Sequence, residues 1–118
     1  ISVVRMDFRE LGALHAAHDL AVEIYDVSQS FPEDNQFSLG KAICVASLEV
    51  PACLADGCGR GGNDALMKAI EKASGAAARL EYFVLLAGQL GLIDEETLGD
   101  LTELIMDLKS EFSKTATK

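Results

Sequence analysis

The chain has 118 residues, of which 49% are hydrophobic and 25% charged, a balance that excludes a disordered tract and suffices for the core of one domain. Its net charge is −9, from 19 acids against 10 bases scattered between Arg5 and Lys118, which argues against nucleic acid as a partner. Three cysteines, an odd number, and an N-terminal ISVVRMDF too charged for a secretory core predict a reducing, cytoplasmic setting without a disulfide framework.

In chain order, the first apolar-periodic segment covers about 11–29. Ala13, Ala17, Leu20, Ile24 and Val27 recur at alternating intervals of 4 and 3, one face of a helix. SFPEDNQF breaks it, because Pro32 disfavours helical geometry at Phe31. A second helix is predicted over about 38–56, with Ser38 as its N-cap. Leu39, Ile43, Ala46, Val50 and Cys53 form one stripe on it, and Val45, Leu48, Ala52 and Ala55 a second. A small bundle leaves each helix one wet face, so the second stripe predicts a partner, most simply another copy of the chain. Val45, Leu48, Ala52 and Ala55 are therefore the candidate oligomer-interface residues. Pro51 removes a backbone donor inside this helix and predicts a kink. The apolar run over 42–55 is broken by Ser47, Glu49 and Pro51. It falls short of the ~20 residues of a membrane span, so no membrane contact is expected.

The third segment covers about 63–90. Leu66, Ile70, Ala73, Ala77, Leu80, Val84 and Ala87 alternate intervals of 4 and 3, the strongest period in the chain, and SGAAA at 74–78 invites a close neighbour. Gly91 is placed as a C-cap, and Asp94, Glu95 and Glu96 mark the start of a fourth helix over about 94–112. Leu98, Leu101, Ile105, Leu108 and Phe112 make its face, and the tail SKTATK is expected to fray. The fold class is all-α: a single antiparallel up-down-up-down four-helix bundle with a Pro-kinked second helix.

Between the second and third helices lies LADGCGRGGNDAL, where Gly57, Gly59 and Gly62 spell G-x-G-x-x-G. As a dinucleotide site it fails on three counts. Six residues separate Val50 from Gly57, Glu81 precedes the would-be second strand, and the helical period runs unbroken through YFVLLAG. No Gly-Lys-Ser/Thr follows, which removes the P-loop reading. The glycines then read as those of a helix reversal that needs positive φ. His15 and His18 share a helix face and could ligate zinc with Cys53 or Cys58. No C-x-x-C is present, however, and the cysteine intervals of 9 and 5 resemble packing. The Glu-x-x-His of di-iron bundles is absent. Cys58 is a candidate nucleophile only through its nearness to a helix start. Arg60 is read as pairing with Asp56 or capping the second helix, ahead of binding a partner's carboxylate or phosphate. No catalytic residue, cofactor or metal is expected.

FREL, AAHDLAVEIYDVSQSFP, VPACLADGCGR and RLEYFVLLAGQLGLID, in that order, resemble the bacterial four-helix bundle proteins encoded by 23S rRNA intervening sequences, over about 8–112. The most specific element is that family's Ile/Val-Pro-x-Asn-Ile-Ala-Glu-Gly-x-Gly-Arg. Here Pro51, Ala55, Gly57, Gly59 and Arg60 keep the pattern, Asp56 stands for its Glu and Cys53 for its Asn. The resemblance implies a four-helix bundle assembling into a homopentameric ring, with no established biochemical role. It marks Pro51, Asp56, Gly57, Gly59 and Arg60 as the structural motif. A related branch, the accessory proteins of diversity-generating retroelements, also forms pentamers and binds nucleic acid through basic surfaces. The family's usual Arg-Arg pair in the second helix is replaced at the matching positions by Cys44 and Val45, which removes the residues best suited to RNA. The expectation is a non-enzymatic homo-oligomer with an interaction or scaffold role, open to an unidentified protein partner; the alternative is a nucleic-acid-binding accessory protein.

Overall fold

A computed structural model describes residues 7–116. Four long helices account for most of them: α1 (Gly12–Ser28), α2 (Lys41–Arg60), α3 (Asn63–Gln89) and α4 (Glu95–Ala116). Among the described residues there is no strand. Helices adjacent in the chain pack on one another, α2 against α3 most extensively, and α1 also packs on α4. The result is an all-α four-helix bundle 53 Å long and 24 by 19 Å across.

The core is built from the predicted faces except on α2, where Leu54 and Cys58, on neither predicted stripe, are buried and Cys53 is only half-buried. Leu20 and Ile24 of α1, Val50 and Leu54 of α2, Leu80 of α3, and Ile105 and Leu108 of α4 are all but completely buried. Each contributes roughly 1.5–3 kcal/mol relative to an exposed position. Alanines fill the rest. Ala13 and Ala17 on α1 and Ala73, Ala76 and Ala77 on α3 are buried, and their small side chains let the helix axes approach. The buried polar side chains are satisfied: Ser28 Oγ donates to the Tyr25 carbonyl at 2.8 Å and Ser47 Oγ to that of Cys44 at 2.9 Å.

The ends of α2 differ from the sequence expectation. Ser38 is not its N-cap. Helical winding begins just after Pro32, in a turn at Glu33–Asn35 and a wider π-turn at Gln36–Gly40 that runs straight into Lys41. Pro32, with φ −54° and ψ 148°, is geometrically suited to start a helix, and Glu33 and Asp34 complement the helix dipole. At the other end α2 continues past residue 56 to Arg60, so Gly57 and Gly59 lie inside it. The reversal is made by Gly61 and Gly62, with φ +80° and +88°. The extension has a packing cause. The buried face runs Ile43, Ala46, Val50, Leu54 and Cys58, and it continues through Leu54 and Cys58, while Cys53 is only half-buried. Pro51 lies inside α2, which runs unbroken from Lys41 to Arg60.

Counted from Glu33, the helical stretch to Arg60 has 28 residues, with a mean hydropathy of 1.5 over its most apolar 18-residue window. By length and composition it meets the requirement for a membrane span that the run over 42–55 alone does not, and a third of that window is buried inside the bundle.

The remaining junctions follow the local rules. Gly91 has φ +73°; its N–H donates to the Gly88 carbonyl, and that of Leu92 to the Ala87 carbonyl at 2.9 Å, closing α3 in a Schellman motif. Asp94 caps α4 by accepting from the Thr97 N–H at 2.7 Å. α4 then runs through part of the tail expected to fray, because no Gly or Pro follows Phe112, whose ring is buried. The last two residues of that tail lie outside the described residues.

Candidate interaction surfaces

Three surfaces concentrate the chemistry of the molecule. The first is the outer face of α2. Val45 is 47% exposed, Leu48 56%, and Ala52 continues the row. Ala55, expected on the same face, is half-buried and packs against the core, so it forms the edge of the row. Val45, Leu48 and Ala52 thus form one contiguous apolar row along the outside of the helix.

The second is a groove of 620 Å³ between α2 and α3, which shares Ala52 with the first. It holds most of the structural motif's polar chemistry. Gly57 is buried at the helix crossing, where a Cβ would stand 2.4 Å from that of Ala69. The residue is therefore needed for close approach, not for turning. Gly59 has open space around it. Arg60 Nε donates to Asp56 Oδ2 at 2.9 Å, and Arg79 Nη2 to Glu49 Oε2 at 2.5 Å across the groove. The Asp56 hydrogen bond, and then its charge, raise the Arg60 pKa, so this cation is fixed. Lys68 and Lys72, one turn apart on α3, complete the rim and have no ion pair among the described residues.

The third is a groove of 870 Å³ between α1 and α4. Asp19, Glu23 and Asp26 line it from α1, and Asp100, Glu103 and Asp107 from α4. None has an ion pair among the described residues. Val22, 54% exposed, and the partly buried Leu104 supply apolar surface between the carboxylates.

The histidines and cysteines do not converge. His15 Nε2 is hydrogen-bonded to the Arg9 carbonyl, and His18 is exposed at the acidic groove. Among the described residues no three His, Cys, Asp or Glu side chains are grouped to hold a metal ion. Cys58 is buried near the C-terminal end of α2, and burial, then the charge of Asp7, push its thiol pKa up. That is opposite to the activation a helix start would provide. Cys44 sits against Ser28 Oγ at 3.1 Å.

The two charged grooves are not legible in the sequence as grooves. Their ingredients are visible there, as Lys68 and Lys72 at helical spacing and as acids on one face each of α1 and α4. Their convergence depends on which helices are neighbours. Residues 9–114 match the family model described as 23S rRNA-intervening sequence protein. No curated protein sequence matches the chain.

Proposed function

Because this chain belongs to the 23S rRNA-intervening sequence protein family, we propose that it acts without catalysis, as the subunit of a homo-oligomer with an interaction or scaffold role. The observation that carries this is the exposed row Val45, Leu48 and Ala52, apolar surface that one copy of the bundle leaves in water. A pentamer is the assembly that the family likeness favours. An up-down-up-down path suits contacts such as Ser28 with Cys44, Glu49 with Arg79 and Glu81 with Lys109, each joining successive helices. The reading includes a cytoplasmic setting with neither cofactor nor membrane contact. Light scattering coupled to size exclusion tests it at micromolar concentration. The expected mass is a multiple of one chain, five in the favoured case, and a clean monomer would overturn the proposal. In Val45→Glu/Leu48→Glu, a folded monomer is expected.

A second reading, an accessory protein for nucleic acid, draws on one observation: Arg60, Lys68 and Lys72 line a single groove. Binding of RNA or DNA would then be detectable at about 50 mM salt and fall steeply as salt rises. A flat titration at that salt ends this reading, which the acidity of the rest of the surface already disfavours.

A further inference from the structure

We propose that the outer face of α2, with the Lys68–Lys72 edge beside it, docks onto the acidic α1/α4 groove of a second copy of this chain. The inference rests on the oligomer reading above and specifies its contact.

The two surfaces complement each other in both polarity and charge. On one side, Val45, Leu48 and Ala52 form a projecting apolar row, and through Ala52 it joins the groove whose unpaired charges are Lys68 and Lys72. On the other, Val22 and Leu104 lie among six carboxylates that have no cation of their own. A cation edge seated against an anion groove relieves the repulsion stored among those carboxylates, while the apolar row covers the apolar residues between them.

Symmetry argues in the same direction. Pairing the acidic groove with itself would bring carboxylates to carboxylates, which is a repulsive contact, and Lys68 and Lys72 are the charges of the α2/α3 edge left without a partner, since Glu49 and Asp56 there are paired with Arg79 and Arg60. The favourable pairing is between unlike surfaces, hence heterologous, and heterologous contacts are the kind that build rings. The bundle is large enough: a side 53 Å long and 19–24 Å wide can hold the ~800 Å² per partner typical of a stable interface.

The experiment is a charge swap read by light scattering, with helix content and melting recorded for every variant. Lys68→Glu/Lys72→Glu reverses one surface and Glu23→Lys/Asp100→Lys the other; all four positions are exposed. Each double variant is expected to fold and to lose assembly, falling to the mass of one chain. The chain carrying all four substitutions is expected to regain the mass of the unaltered protein. If both double variants keep the unaltered protein's mass, or if the fourfold variant stays monomeric while folded, the proposed contact is wrong and the oligomer reading stands. If the unaltered protein is itself monomeric, both fall.

Discussion

At the scale of single residues, the glycines of the motif separate into different roles. Gly57 and Gly59 are two positions apart in the same helix, yet a side chain at Gly57 meets Ala69 and one at Gly59 meets nothing. Gly57→Val is expected to cost about 1–3 kcal/mol by overpacking the α2/α3 crossing. Gly59→Ala removes chain entropy from the unfolded state at a helical position with room, and is expected to gain about 0.5–1 kcal/mol. Melting of the two variants side by side checks this; equal effects would contradict the assigned roles. The sequence shows only that both positions are glycine, since a contact to residue 69 is a property of the helix pair. Arg60, by contrast, has its partner four residues back on its own helix, and that pairing is legible from spacing alone.

At the scale of elements, the helices of this chain are held by local caps as well as by the core. Asp94 begins α4, and its carboxylate is held below the usual range, chiefly by the Thr97 backbone N–H and then by the Thr97 side chain. The sign follows from the depressed value. The stabilisation is present above the unfolded-state pKa, ~3.9 for an aspartate, and is lost as pH falls through the lower folded-state value. Asp94→Ala is therefore expected to melt below the unaltered protein at neutral pH. The difference should shrink as both are titrated into acid, as followed by circular dichroism. A constant difference down to strongly acid pH would show that the carboxylate's charge is not what stabilises the helix start. Start and stop signals of this local kind, Asp94 and Gly91, were readable in sequence because the groups that satisfy them lie within four residues. The limits of α2 were not. Its start depends on Pro32 and a π-turn, and its end on burial of Cys58.

At the scale of the whole molecule, charge is segregated. A chain of net charge −9 gathers six acids into the α1/α4 groove and leaves Lys68 and Lys72 on the α2/α3 rim, beside the exposed row of α2. The two surfaces differ in kind, and their difference is what the charge-swap variants address. The Val45→Glu/Leu48→Glu variant addresses the apolar component separately, since it puts charge on the row while leaving Lys68 and Lys72 in place. Monomeric mass with unchanged helix content is the expected result; unchanged oligomer mass would move the interface elsewhere.

The sequence by itself determined the all-α class, the four helices and most of the core, though not Leu14, Leu54, Cys58 or Ala69, because a period of 3.6 residues is written along the chain and needs no knowledge of neighbours. It also carried the family, through the run from Pro51 to Arg60. Tertiary structure alone decided that Gly57 is a crossing point, that Cys58 is a core residue with a raised pKa, and that acids from residues 19–26 and 100–107 share one groove. Each of these depends on contacts between helices far apart in sequence, and local periodicity places residues on a face without saying which face will meet it.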